Sequence, residues 1–446
     1  MRLFYTIGIY LYTLGIRVAA LFGHEKARLM VRGWRNSMVP PTEAGSSTAW
    51  FHAASLGEFE QARPVLEAFR ERHPDYKVLV TFFSPSGYEV RKNYPLADNV
   101  IYLPMDTPRN ARKLIDTYKP SIAFFVKYEF WFNYLGELKR RNIPTYIFST
   151  IFRPGQYFFK WYGGWFRKQL KSCFAHLFVQ NEESLALLKG IGIERCSLAG
   201  DTRFDRVHQI AVAAERNEVV ESFLDGHDGK VLVGGSTWPP DETLIKECVN
   251  ALNSQINTLK IILAPHVISE EHLKQIETLF PDSIRYSQIE NGKLGAAKDE
   301  QKTNAFAFSK PSCVDGVKIE NSADASNTQA IKVLIIDNIG LLSKLYRYAD
   351  VAYIGGGFGV GIHNILEAVT FGKPVLFGPN YQKFQEARDI IALGGGWSHR
   401  DATELTTHLT PLLSDPTAYD KASHTCTDYM NQNLGSTEKI LRTIEK

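Results

Sequence analysis

The sequence predicts an α/β protein built of two consecutive doubly wound domains behind a hydrophobic N-terminal helix. Three observations carry that expectation. Apolar runs of strand length alternate with segments of helical spacing, the alternation restarts near Gly200, and the stretch Leu3 to Phe22 is apolar except for Arg17. Continuous apolar strands separated by helices indicate a parallel sheet covered on both faces. A chain of 446 residues is long enough for two complete cores.

Taken in order, the first element is the apolar N-terminus, followed by Lys26, Arg28, Arg32 and Arg35. Only Leu3 to Ile16 is free of charge, short of the roughly 20 apolar residues of a full span. Residues 1–35 read as a membrane anchor or an interfacial helix, with a buried amphipathic helix and a cleaved signal peptide as competing readings. Residues 1–40 hold six Lys and Arg against the single Glu25, and this flank favours the cytoplasmic side and anionic lipid. After a polar stretch, strands are expected at Trp50–Ala54, Val78–Phe83, Val100–Leu103, Ile122–Val126, Thr145–Phe148 and His176–Val179, giving a first domain over residues 48–205. The second domain, residues 228–430, is expected to carry strands at Val231–Gly234, Lys260–Ala264, Val333–Ile336, Val351–Ile354 and Pro374–Phe377. Residues 287–330 interrupt it: eight of these 44 residues are Ile, Leu, Val, Phe or Cys, so the segment reads as a polar surface insertion.

Composition removes several function classes. With 44% hydrophobic and 22% charged residues the chain is neither disordered nor a polytopic membrane protein. The formal net charge is +3, of which residues 1–40 supply +5, so the remainder is slightly acidic and no nucleic-acid surface is expected. Five scattered cysteines without a CxxC argue against a disulfide framework and a structural zinc site.

The chemistry-bearing residues fall at strand ends, where open α/β sheets collect ligands, and the two domains are expected to face one cleft. His52-Ala-Ala-Ser55-Leu-Gly57-Glu58 joins a strand to a helix beginning near Glu58. Glu58 reads locally either as a base for a hydroxyl proton or as a carboxylate stabilising the helix N-terminus. Glu129 follows the strand Ile122–Val126, beside Phe130, Trp131 and Phe132, which read as core aromatics. Arg203, in Gly200-Asp201-Thr202-Arg203-Phe204-Asp205, reads as a fixed cation for a phosphate or as a solvated surface residue. In the second domain Gly234-Gly235-Ser236-Thr237-Trp238 reads as a phosphate nest, and Pro265-His266 ends the next strand. The densest stretch is Gly355-Gly356-Gly357-Phe358-Gly359-Val360-Gly361-Ile362-His363-Asn364-Ile365-Leu366-Glu367, whose five glycines imply close approach of backbone to ligand. It lacks the GxGxxG spacing of a nicotinamide site. The segment Phe152–Lys168 interleaves aromatic and basic residues as interfacial helices do, although an aromatic core helix has the same composition.

The set HAASLGE, GDTRFD, GGSTW, APH, DNIGLL and GGGFG with GIHNILEA, running in order along nearly the whole chain, resembles the Kdo transferases of lipopolysaccharide synthesis. That resemblance implies a GT-B fold and transfer of 3-deoxy-D-manno-octulosonic acid (Kdo) from CMP-Kdo to a lipid A precursor at the cytoplasmic face of the inner membrane. It implies Glu58 as catalytic base, with Glu129 and Arg203 stabilising the transition state. It further implies CMP contacts at Pro265, His266, Ile339, Gly340, Leu341, Asn364, Ile365, Leu366 and Glu367. No cofactor or metal is expected, and the reaction is expected to invert by single displacement. The chain departs from the family pattern at Arg203 and His266, where many relatives carry Lys and Arg, at Leu342, where an acid is common, and in the insertion 287–330. Competing readings are another GT-B enzyme acting on a UDP-sugar, an epimerase of that fold, and a non-catalytic membrane-tethered binding protein.

Overall fold

The computed structural model describes residues 1–36, 47–252, 258–292 and 331–445. The chain divides into two compact units, Met1–Arg206 together with Asn433–Lys446, and Val207–Gln432. The division falls inside the helix Thr202–Val212.

The first unit holds β1 (Thr48–Ala53), β2 (Lys77–Phe82), β3 (Asn99–Tyr102), β4 (Pro120–Val126), β5 (Thr145–Thr150), β6 (His176–Val179) and β7 (Cys196–Leu198). They form a parallel sheet in the order β3-β2-β1-β4-β5-β6-β7. Side chains alternate across a strand. Trp50 therefore enters one apolar cluster with Leu79 and Phe125, while Phe51 enters the opposite one with Val80 and Phe124. Both faces are buried, which is why these strands read as unbroken apolar runs. The order reverses between β1 and β4, so the crevice of the sheet opens where these two strands end.

The second unit repeats the plan with β8 (Lys230–Thr237), β9 (Leu259–Pro265), β10 (Ser283–Arg285), β11 (Val333–Ile335), β12 (Val351–Ile354), β13 (Val375–Phe377) and β14 (Gly396–Ser398). Its parallel order is β10-β11-β9-β8-β12-β13-β14, and its crevice opens between β8 and β12. Each unit is thus a Rossmann-like domain.

Several details differ from the sequence expectation. The strands β7, β10 and β14 are three residues each and only partly buried, so they lack the apolar run that marks the equally short β11 and β13. Residues 206–227 are largely helical, and Asn217 is pinned to the second unit by Tyr348 and Tyr286. The insertion begins later than Ser287: Tyr286–Glu290 is a helix with Tyr286 and Ile289 buried, and Asp337 accepts hydrogen bonds from the Ser287 backbone and hydroxyl. The rest of the insertion, residues 293–330, lies outside the described residues. The helix after β1 starts at Leu56, two residues earlier than Glu58. In Phe152–Lys168, Phe152 and Phe158 are buried and Trp165 and Phe166 pack on the core, leaving Trp161 and Tyr162 exposed. Core packing took most of these rings because the unit needs them to cover the sheet.

The N-terminal helix Arg2–Leu21 lies along the first unit by one face. Tyr5 donates its hydroxyl to Asp106 Oδ2 at 2.6 Å and packs edge-on against Phe132, while Thr6 meets Asn133. Tyr12 stacks on Phe83. The other face, with Leu3, Phe4, Leu11, Leu14 and Leu21, is exposed.

Candidate active site

In the first unit the two strands that flank the crevice each deliver a carboxylate. Glu58 is the third residue of the helix Leu56–Arg72, which follows β1. Its Oε2 accepts from the backbone N–H of Ala54 at 2.6 Å and of Ser55 at 3.2 Å. These bonds fix the side chain over the crevice instead of leaving it in solvent. Burial pushes the Glu58 carboxyl above the usual glutamate range, and the negative charge of Glu129 adds to the rise. The Ala54 N–H, then His52 and Lys127, pull in the opposite direction. A carboxylate raised in this way is a stronger base than an ordinary glutamate.

Glu129 follows β4 and is held from two sides. Trp131 donates its indole N–H to Glu129 Oε2 at 2.6 Å, and His52 Nε2 lies 3.1 Å from the same oxygen. His52 is fully buried at the end of β1, and its Nδ1 faces the Thr81 carbonyl at 3.1 Å and the Thr81 hydroxyl at 2.8 Å. A carboxylate only accepts, so the contact with Glu129 calls for a proton on Nε2, while Nδ1 accepts from the Thr81 hydroxyl, which itself takes the Trp50 indole N–H. Lys127, between β4 and Glu129, has φ of 57°, a left-handed backbone that is uncommon outside glycine. Such strain is characteristic of functional turns.

Arg203 is anchored on Asp201, with its backbone N–H and Nε reaching the carboxylate at 2.9 and 2.8 Å. Asp201 Oδ1 also accepts from Gln61 Nε2 at 2.8 Å, which ties this turn to the helix that carries Glu58. The Tyr128 phenol is raised by burial, and the charges of both Asp201 and Glu58 act on it, so the Arg203 turn and Glu58 share one neighbourhood. Gly57 stands at the open start of its helix, where an added Cβ would meet nothing within 4 Å. The helix start is therefore open at Gly57, while the Ser55 side chain caps the Glu58 N–H.

The second unit builds a different surface. Asp241, buried at the start of the helix Pro239–Leu252, accepts from Trp238 N and Gly356 N on Oδ2 and from the Tyr353 hydroxyl on Oδ1. It clamps the turn after β8 to the glycine loop after β12. Glycine is required in that loop: a Cβ on Gly355 would lie 2.2 Å from Ser236 O, and one on Gly357 2.6 Å from the Gly378 backbone. Above the loop three flat rings meet. Trp238 stacks on His266 with centroids 4.8 Å apart, and His266 lies 4.4 Å from His363. Burial and the neighbouring His266 lower the His363 pKa, so its ring is neutral near pH 7. Asn364 accepts from Leu366 N and donates to Glu367 at 3.2 Å. Ile339 is exposed and Gly340 takes φ of 96° in the turn after β11, next to β9 with its Pro265. Among the described residues no three His, Cys, Asp or Glu side chains form a metal-ligating group.

Each unit thus gathers its own sequence-predicted residues: Glu58, Glu129 and Arg203 in the first, Pro265, His266, Ile339–Leu341 and Asn364–Glu367 in the second. Three further residues organise these sites. His52 and Asp241 are buried polar residues at strand or helix ends, a recognisable signal because buried charge needs a partner. Trp131 packs against the core as a core aromatic and also holds a carboxylate.

Comparison with known proteins completes the picture. Residues 28–206 match the family model described as 3-deoxy-D-manno-octulosonic-acid transferase (kdotransferase). Curated 3-deoxy-D-manno-octulosonic acid transferases are similar along most of the chain. That of Aquifex aeolicus is 25% identical, covering 82% of this chain and 86% of its own. That of Rickettsia felis is 27% identical, covering 84% and 74%. Among solved structures, UDP-GlcNAc 2-epimerase from Neisseria meningitidis superposes with a TM-score of 0.58 at 15% identity, covering 89% of this chain and 99% of that one. The enzyme of that name from Methanocaldococcus jannaschii gives 0.54 at 15% identity with the same coverage. At such identities the likeness is one of fold, the GT-B class of two Rossmann-like domains. The motif order, the matched domain and the relatives agree in making the chain similar to the 3-deoxy-D-manno-octulosonic acid transferases along most of its length.

Proposed function

We propose that this protein transfers Kdo from CMP-Kdo to a sugar hydroxyl of a lipid A precursor, with inversion, at the cytoplasmic face of the inner membrane. Glu58 takes the hydroxyl proton as the oxygen attacks the anomeric carbon. The anomeric C–O bond breaks on the opposite side, and CMP leaves with the electron pair. Arg203 and the open helix N-terminus at Gly57 supply positive potential for charge that builds up in the transition state. Glu129, held by His52 and Trp131, bears on the developing cation at the anomeric carbon and keeps the Glu58 pKa high. The glycine loop, with Asn364 to Glu367, and the turns at Pro265–His266 and Ile339–Leu341 take the nucleotide. This assignment of roles calls for no metal.

The observation that carries the reading is the pairing of a raised, backbone-fixed Glu58 with the Glu129–His52 contact at the strand-order reversal. A lipid acceptor is supported by a short aromatic path: Tyr12 of the exposed apolar helix stacks on Phe83, and Phe83 lies 4.9 Å from Trp131, which bonds Glu129. The one-sided attachment of Arg2–Leu21 favours a helix lying in the membrane surface over one that crosses it. Incubation with CMP-Kdo and tetraacyl lipid A precursor, read by mass spectrometry, tests the proposal and counts the Kdo units added. No mass gain with active nucleotide binding would refute it.

A further inference from the structure

The helix Arg2–Leu21, the following helix Glu25–Asn36 and the start of the helix Pro108–Tyr118 border an open groove of about 1350 Å³ in the first unit. Its cations come from all three elements: Arg17, Arg28, Arg32, Arg109 and Lys113. No Asp or Glu lines it among the described residues. Several cations elsewhere in this unit are paired, as Arg63 is with Glu60 and Glu67, and Arg141 with Asp116 and Glu137. Among the described residues the five groove cations enter no such pair. Five like charges around one hollow complement a polyanionic or phosphate-bearing ligand.

The groove also has an apolar wall. Tyr10, Leu14 and Leu21 line it and are largely exposed, and they belong to the apolar outer face of Arg2–Leu21. A soluble anion has no use for such a wall, whereas a lipid carries a phosphate and methylenes on one molecule. We propose that this groove binds the phosphate headgroup of an anionic bilayer lipid, with the first methylenes of its chains against Leu14 and Leu21. The inference rests on the reading of Arg2–Leu21 as the membrane-facing helix. It concerns a site separate from the carboxylates: at about 100° per residue, Tyr12, which leads toward Glu129, projects roughly 140° away from Arg17.

The test uses the full-length protein in flotation with vesicles of phosphatidylcholine alone and of phosphatidylcholine mixed with phosphatidylglycerol. The wild type is expected to prefer the mixed vesicles. Arg32→Gln with Arg109→Gln is expected to lower that preference about 30-fold, leaving binding to phosphatidylcholine unchanged. The pair Arg32→Lys and Arg109→Lys is expected to keep it, and an unchanged thermal midpoint shows that either variant is folded. Equal binding of the wild type to both vesicles overturns the groove inference alone. Absence of binding to either vesicle overturns the membrane reading of the helix and the inference with it. Displacement by millimolar inorganic phosphate identifies a soluble-anion site, and a raised KM for the lipid acceptor in detergent identifies an acceptor site. Either result overturns the assignment to a bilayer lipid.

Discussion

At the residue scale Glu58 reconciles two roles that look exclusive in sequence. Both of its backbone bonds fall on Oε2, so the side chain braces the helix start with one oxygen, and Oε1 has no protein donor among the described residues. Substitution separates the roles. Glu58→Gln keeps an amide oxygen for the two N–H groups, so its folding free energy should stay within about 1 kcal/mol of wild type while turnover falls about 10²–10⁴-fold. Glu58→Ala should lose that turnover and about 1 kcal/mol of stability as well. Parallel activity assays and urea titrations check both, and undiminished turnover in Glu58→Gln would end its role as base. The pH profile carries the second residue-scale prediction. A base works when deprotonated, so kcat/KM should fall as pH drops through the Glu58 pKa, which burial and Glu129 raise above the ordinary glutamate range. Glu129→Gln removes the neighbouring negative charge and should move this acid limb to lower pH. His52→Asn removes a group that lowers the Glu58 pKa and should move the limb upward. Limbs that coincide in all three proteins would show that another group titrates.

At the scale of one element, the N-terminal helix is held by polar contacts that its apolar composition conceals. Asp106 is fully buried and accepts from the Tyr5 hydroxyl, from Asn133 N at 3.0 Å and from Tyr134 N at 2.8 Å. Burial pushes its carboxyl up to about 6 against the pull of these donors. Tyr5→Phe keeps the ring against Phe132 and removes only the hydroxyl, leaving the buried oxygen one donor short. The docked helix should lose about 1.5–3 kcal/mol, read as faster hydrogen exchange of the amides in Arg2–Leu21 with the sheet unchanged. Unaltered exchange would mean that apolar packing alone holds the helix. The sequence marked this element as hydrophobic and flanked by cations, and that much is legible in composition. It could not mark which face docks, because Tyr5 and Thr6 find partners at Asp106 and Asn133, more than 100 residues away.

At the scale of the whole molecule, legibility follows how local the signal is. The long central strands and the residues just past their ends were readable because burial on both faces leaves unbroken apolar runs. The return of the C-terminus was not: Asp205 accepts from Gly435 N and Thr437 N at 2.8 and 2.6 Å and starts the helix Ser436–Ile444 on the first unit. A contact spanning 230 residues has no local pattern, so nothing in GDTRFD shows that its last residue caps a distant helix. The proposed nucleotide surface lies between these extremes. Its glycines were visible, while the clamp of Asp241 and the stack of Trp238, His266 and His363 arise only when β8, β9 and β12 lie side by side. That stack offers flat faces to a pyrimidine base, and the loop offers N–H groups to a single phosphate, a match for CMP. At about 100 times its Kd, a ligand specific to the folded state adds about 2.7 kcal/mol. For a unit of this size that raises the thermal midpoint by roughly 5–10 °C. CMP should produce such a shift and UDP at equal concentration should not. Trp238→Ala should shrink the CMP shift by removing one face of the stack, without altering the midpoint of the free protein by more than a few degrees. Equal protection by UDP would remove the nucleotide assignment and, with it, the choice of CMP-Kdo as donor.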